Sequence, residues 1–394
     1  MQSIKCKVET PVDSTIHAGC QEATPATGTP ARWHELADRV LDGHRLSSQE
    51  GLAVLQSADA ELLDVLSAAY RVRHRWFGNR VHLNFLNNAK SGLCSEDCGY
   101  CSQSRVSKAD VPRYDMLSPE EILDGARLAA EREAGTYCIV ISGRAPQDRE
   151  IDRICSLVTE MKSNWGLKIC ASVGLLTAEQ ASRLKEAGVD RVNHNLNTSE
   201  RFYPAICSTH SYHERLRTLR VVRQAGLEIC SGGIVGMGEE DEDVVELALR
   251  LGELEAEAVP VNFLLPIPGT PLGDCPDFPA EDCPDFPAGD CPDFPAGDCP
   301  DFRAAKMGLS PSGPRRLNPR YCLKVLAMFR LANPKCELRI AAGREVHLGS
   351  LQPLGLFAAS SIFVGDYLTT PGQPPEEDYR MIEELGFEVV PKRR

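Results

Sequence analysis

Eight short β-rich runs, each followed by an amphipathic helical stretch, succeed one another between residues 81 and 385, and nothing else in the chain constrains its fold as much. The runs are 81–86 (VHLNFL), 136–142 (TYCIVIS), 168–174 (KICASVG), 191–197 (RVNHNLN), 228–235 (EICSGGIV), 258–265 (AVPVNFLL), 337–342 (ELRIAA) and 361–365 (SIFVG). Helical periodicity fills 118–133, 148–165, 177–187, 211–225, 240–254, 319–333 and 349–360, with a last segment at 374–385. Strands that alternate with helices form parallel sheets covered on the outside, so their sequences read as continuous apolar runs. Eight such units predict a (βα)8 TIM-type barrel rather than a doubly wound sheet. With 394 residues, 42% of them hydrophobic, the chain can fill such a core.

The ends and one insertion stand outside that rhythm. Residues 1–31 are rich in Thr, Pro, Ala and Gly without an apolar period, and are expected to be a flexible tail before a barrel domain spanning 32–390. From Arg32 to Gly78 the pattern is helical, an N-terminal helical extension: Trp33, Leu36, Val40 and Leu41 share a face, and Ser48, with Gly51 three residues on, opens a second helix. Four copies of an eight-residue unit (GDCPDFPA, EDCPDFPA, GDCPDFPA, GDCPDFRA) run from Gly273 to Ala304 after the sixth strand. Each is proline-flanked and too poor in apolar surface to fold alone, so 273–316 is expected to be a disordered loop insertion. A competing reading makes Cys275, Cys283, Cys291 and Cys299 metal ligands, which would need a fold to converge them.

Charge and cysteine usage narrow the function. The formal charge of −13 is mostly local, because residues 273–304 hold eight Asp and one Glu against a single Arg, a net of −8. With no basic stripe, nucleic acid is not an expected partner. No apolar run approaches the roughly 18 residues of a membrane span, and the N-terminus has neither a basic start nor an apolar stretch, so a cytoplasmic protein is expected. Sixteen cysteines in a long chain without an export signal point to metal or cluster ligation rather than a disulfide scaffold.

Three of them, Cys94, Cys98 and Cys101, fall within eight residues. Structural zinc sites close with four ligands, often as two CxxC pairs, and this chain has no second pair. A 4Fe–4S cluster wants four thiolates, so three leave one iron open for something else. The loop follows the first strand and should lie at the barrel's C-terminal mouth, with Gly99 allowing a tight turn between Cys98 and Cys101. Three further cysteines, Cys138, Cys170 and Cys230, sit within strands, where each could be a small core residue. Arg339, alone in an apolar strand, needs a partner. If all four point into the barrel they could meet and hold a second cluster. Asn193, Asn195 and Asn197 recur at period two in the fourth run, which puts them on one side with His194 and Leu196 on the other. Because helices cover the outside of a parallel barrel, that polar file is assigned to the lumen, joined by Asn262.

The stretch NAKSGLCSEDCGYCSQS resembles the radical S-adenosylmethionine superfamily, and within it the biotin synthase family, and the resemblance extends over about 33–390 apart from the repeats. It implies a 4Fe–4S cluster on Cys94, Cys98 and Cys101 whose open iron takes the methionine end of S-adenosylmethionine, one electron then releasing a 5′-deoxyadenosyl radical. It implies a sulfur-donating 2Fe–2S cluster on Cys138, Cys170, Cys230 and Arg339. Asn193 and Asn262 would contact the ureido ring of dethiobiotin, Asn195 would lie between ring and ribose, and Asn197 would contact the ribose, a position often Asp in the family. Arg215 would pair with the methionine carboxylate, Tyr100 would line the cofactor, and Gly233, in the segment 232–239, would let backbone approach the adenine. The implied reaction inserts sulfur between two unactivated carbons of dethiobiotin to close the ring of biotin, the last step of its synthesis. Flavodoxin or ferredoxin would be the reductant and a homodimer the assembly. Such C–H bonds give acids and bases no purchase, in keeping with a sequence that shows no evident His–Asp or nucleophile pattern. Cys155, Cys207, Cys322 and Cys336, and Cys6 and Cys20 in the tail, match no expected ligand position. Another radical S-adenosylmethionine enzyme with an auxiliary cluster, or a non-enzymatic metal binder using the repeats, are the alternatives.

Overall fold

In the computed structural model residues 29–274 and 317–390 are described, which leaves the expected tail and nearly all of the repeat insertion outside. Ten strands form the sheet: β1 (Arg80–Lys90), β2 (Thr136–Ile141), β3 (Lys168–Ser172), β4 (Arg191–Asn193), β5 (Glu228–Cys230), β6 (Gly233–Val235), β7 (Ala258–Phe263), β8 (Glu337–Ile340), β9 (Ser361–Phe363) and β10 (Glu388–Val389). All pairings are parallel, in the order β1-β2-β3-β4-β5-β7-β8-β9, and β9 returns to β1 through His82↔Ser361 and Leu83↔Ile362. The barrel is therefore closed with eight staves, as the alternation predicts. β6 continues the fifth stave after a break and pairs with β7, while β10 adds a two-residue edge beside Arg80 and Val81.

The helices start where side chains can satisfy their first free N–H groups. Ser118, Thr177 and Ser211 cap Pro119–Glu131, Ala178–Glu186 and Tyr212–Gln224, each answered by a Glu or Gln three residues on. Helix Asp148–Trp165 ends at Gly166, whose φ of +63° suits glycine. Their apolar faces meet the outer faces of the strands to form the main core, and Pro319–Ala332 is buried along nearly its whole length, packed on Leu62–Phe77 of the N-terminal extension.

Several boundaries differ from the sequence reading, each for a local reason. The first helix begins at Thr29 rather than Arg32, and the second is capped by Ser47 with Glu50, not opened by Ser48. The fourth run ends as a strand at Asn193, and four residues on Asn197 takes a left-handed φ of +72°. The fifth breaks at Ser231-Gly232, and 349–360 is not one helix: Gly349 turns at φ +49° and only short turns follow through Gly355. Gly99 has no left-handed backbone. The expected turn is present all the same, closed by Cys101 N–H to Cys98 O at 3.2 Å, and Gly99 also docks the loop, its N–H donating to Ile206 O at 2.9 Å and its carbonyl accepting from Leu272 N at 3.0 Å. Among the described residues no helix is long and apolar enough to cross a membrane.

Candidate active site

The inside of the barrel is layered along its axis. At the N-terminal ends of the strands lies an ionic plug: Glu337 accepts from Arg339 at 2.7 Å, from Arg191 at 3.0 Å and from Ser361 at 2.9 Å. Burial alone would raise the Glu337 carboxyl, yet the two guanidiniums hold it well below the usual carboxylate range. Burial would likewise pull Arg339 down, and Glu337 with the Cys230 and Cys138 sulfurs holds it up. The lone arginine thus has its partner, and its guanidinium also stacks 4.9 Å from the Phe363 ring.

Above the plug, Cys138, Cys170 and Cys230 form a separate buried cluster with Ala258, Ala341, Phe363 and Tyr367. Strand register brings them together: Cys138 pairs with Cys170 across β2–β3, and Cys230 lies beside Asn193 on β4 and Ala258 on β7. The two neighbouring thiols, together with burial, push Cys170 far up, while Cys170 pulls Cys230 below the usual thiol range. Three adjacent buried sulfurs beside two guanidiniums make a donor set suited to a small cationic iron–sulfur core.

Over this layer opens a cavity of about 390 Å³. Its floor includes Cys138 and Arg339, its wall Asn193, Asn195, Asn197, Asn262 and Arg215, and its rim Cys94, Cys98, Tyr100 and Cys101. The three asparagines line it although only Asn193 belongs to β4, and His194, expected on the opposite side, lines it too. Gly233 does not: a Cβ there would meet Leu247 at 2.3 Å and the Asn197 carbonyl at 2.6 Å, so its smallness serves packing.

Several of these groups are already committed. Asn195 Oδ1 accepts from Gly232 N at 3.0 Å, Asn262 bridges Gly233 O at 2.9 Å and Ala342 N at 3.2 Å, and Asn197 Nδ2 donates to the Tyr100 hydroxyl at 2.7 Å. Asn193 donates to Ser172 at 3.2 Å, but its Oδ1 is buried without a partner, as are His194 Nε2 and Ser142 Oγ nearby. A buried acceptor without a donor is costly and suits a ligand that brings an N–H.

At the rim, burial raises the Cys94 thiol and lifts Cys101 to about 11; the hydrogen bond with Cys207, with burial, pushes Cys98 higher still. Thiols so disfavoured as anions become good ligands once a cation sits among them. Arg215 donates to Asn195 O at 2.8 Å and His210 Nε2 at 2.8 Å and bonds the Tyr203 hydroxyl.

Cys207 and His210 were not legible as site residues. Cys207 lies 3.7 Å from Cys98 and 3.2 Å from His210 Nδ1, which is 2.5 Å from Glu96 Oε2. The chain therefore does hold a buried His–carboxylate–thiol arrangement: Cys207 and His210 are three residues apart, but Glu96 and Cys98 join them from more than a hundred residues away. Cys322 and Cys336 are buried in the core and Cys155 bonds the Arg183 carbonyl.

Residues 90–251 match the family model of the Radical SAM superfamily, and 305–388 that of the Biotin and Thiamin Synthesis associated domain. The chain is 52% identical over 359 residues to a biotin synthase of Geobacillus kaustophilus (strain HTA426), covering 91% of this chain and 96% of that protein. It is 48% identical over 358 residues to a biotin synthase of Bacillus subtilis (strain 168), covering 91% and 95%. Among solved structures, a methylornithine synthase superposes with a TM-score of 0.69 at 21% identity, covering 91% of this chain and 98% of that one. The FeFe-hydrogenase maturase HydG from Carboxydothermus hydrogenoformans gives 0.66 at 18%, covering 91% and 79%. At those identities the two structures speak for the fold alone.

Proposed function

Since this chain belongs to the biotin synthase family, we propose that its cavity holds S-adenosylmethionine and dethiobiotin between two thiol-bound iron–sulfur sites. It is a radical S-adenosylmethionine sulfurtransferase that depends on an iron–sulfur cluster, with dethiobiotin as substrate and biotin as product. The observation that carries the residue assignment is one cavity with Cys94, Cys98 and Cys101 at its rim and Cys138, backed by Cys170 and Cys230, at its floor.

Cys94, Cys98 and Cys101 would hold a 4Fe–4S cluster, which would supply the electron for radical generation from S-adenosylmethionine, a chemistry that reaches C–H bonds no acid or base can. Arg215, positioned by Asn195 O and the Tyr203 hydroxyl, pairs with the methionine carboxylate. Asn197, fixed by Tyr100, faces the ribose, and Asn195 sits between the two ligands. Asn193 offers its unpartnered Oδ1 to a ureido N–H of dethiobiotin, with Asn262 beside it. Cys138, Cys170, Cys230 and Arg339 would hold a 2Fe–2S cluster, which would supply the sulfur. Burial at the bottom of the cavity keeps that donor away from water and next to the carbons that receive sulfur. Gly233 supports the adenine side indirectly, by letting β6 lie against Asn197. A flavodoxin or ferredoxin delivers the electron, the chain acts as a homodimer in the cytoplasm, and residues 32–390 form one barrel domain with 273–316 as its insertion.

Anaerobic iron and sulfide analysis combined with a dethiobiotin-dependent 5′-deoxyadenosine assay tests this reading. Two kinds of cluster and release of 5′-deoxyadenosine only with dethiobiotin present are expected. Cys94→Ala abolishes cleavage of S-adenosylmethionine, and a variant that still cleaved it would sink the mechanism.

A further inference from the structure

Cys207 and His210 are buried, belong to neither thiol set assigned above, and follow one another in a Cys-x-x-His spacing beside the rim loop. One ligand atom each from Cys98, Cys207 and His210 lies within 4.8 Å of the other two. Tetrahedral zinc, with Zn–S near 2.3 Å and Zn–N near 2.0 Å, needs sulfurs about 3.7 Å apart and a sulfur–nitrogen spacing of about 3.5 Å. Here the sulfurs are 3.7 Å apart and Cys207 Sγ is 3.2 Å from Nδ1. Two thiolates and an imidazole are a borderline-soft set that suits zinc better than magnesium or calcium.

We propose that in the chain without its rim cluster Cys98, Cys207 and His210 bind a zinc-class divalent cation through two sulfurs and one nitrogen. Binding displaces the two thiol protons to solvent and involves no redox change. It also moves the imidazole proton from Nδ1, where it now faces Glu96, to Nε2. Arg215 then gives up one of its three bonds, that to Nε2, and keeps those to Asn195 O and Tyr203. Because Cys98 serves both sites, zinc and the 4Fe–4S cluster exclude each other, a consequence that rests on the function proposed above. The fold thus carries a metal-sensitive block on cluster assembly.

The test uses the full-length chain, cluster-free and reduced under anaerobic conditions, titrated with cobalt(II) and then zinc against a competing chelator. Other thiols of the chain contribute equally to parent and variants, so the difference between them is read. Cobalt should give tetrahedral thiolate absorption, and one equivalent of it should disappear in Cys207→Ser and in His210→Ala while persisting in the Cys94→Ala/Cys101→Ala double variant. Circular dichroism establishes that each variant is folded. In iron and sulfide reconstitution, the zinc that halves cluster content should rise at least about ten-fold in Cys207→Ser. Retention of the equivalent in Cys207→Ser and His210→Ala, or its loss in Cys94→Ala/Cys101→Ala, overturns the proposal. A chain that binds cobalt here but assembles no 4Fe–4S cluster would leave this site standing and sink the function instead.

Discussion

Arg339 shows what a single side chain can disclose and what it cannot. An arginine in an apolar strand had to have a partner, but whether that partner was a cluster, a carboxylate or both was open until Glu337 and Arg191 appeared beside it. Replacing Arg339 with Met leaves Glu337 buried against one guanidinium instead of two, and should cost about 3 kcal/mol. Urea denaturation of the cluster-free chain measures it, and a loss below about 1 kcal/mol would mean that Arg191 alone satisfies the carboxylate. Cys207 teaches the opposite lesson. Only the Cys-x-x-His spacing with His210 sets it apart from Cys322 or Cys336, and that spacing gains meaning only because Cys98, more than a hundred positions away, lies against it.

Elements were legible where periodicity is strong and obscure where one residue breaks it. All eight staves and most helices lie where the apolar pattern puts them, but β4 ends early at Asn193, ahead of the left-handed Asn197, and the fifth stave splits at Gly232. A Cβ on Gly232 would lie 1.8 Å from the Pro260 carbonyl oxygen, backbone that cannot yield. In thermal melts Gly232→Ala should therefore lose about 3 kcal/mol or more, whereas Gly99→Ala, with its nearest contact at 3.7 Å, should stay within about 0.5 kcal/mol. The cap of Ser48–Leu55 gives a pH test. Burial would raise the Glu50 carboxyl, but bonds from the Ser47 backbone, His44, Arg39 and the Ser47 hydroxyl outweigh it and pull the pKa from 4.5 to about 2. A depressed carboxyl stabilises the fold above its unfolded value, and that contribution fades as pH falls from 4.5 toward 2. Glu50→Gln should cost about 1 kcal/mol at pH 7, with the gap to the parent closing as pH falls from 4.5 toward about 2 in urea denaturation at stepped pH. A gap that stayed constant would mean the bonds do not depend on charge.

For the whole molecule, the repeat is the sharpest question. It enters after β7 and before Pro319–Ala332, so the barrel closes without its help: β7 pairs with β8 through Ala258↔Glu337 to Val261↔Ile340. Deleting 273–304 should leave both clusters and dethiobiotin turnover in place; loss of bound iron would instead favour the metal-binding reading of Cys275, Cys283, Cys291 and Cys299. The sequence alone determined the barrel, because alternating strand and helix periods around a parallel core admit few arrangements, and it marked the cysteine loop because those ligands are neighbours in the chain. Only the tertiary structure decided which distant side chains share a space. Closure of β9 on β1 sets Cys138, Cys170, Cys230 and Arg339 into one lumen, leaves Asn193 with an unpaired acceptor above them, takes Gly233 out of the cavity wall, and seats Cys207 and His210 against Cys98. Those are contacts between residues that no local period links, so they exist only once the sheet has closed.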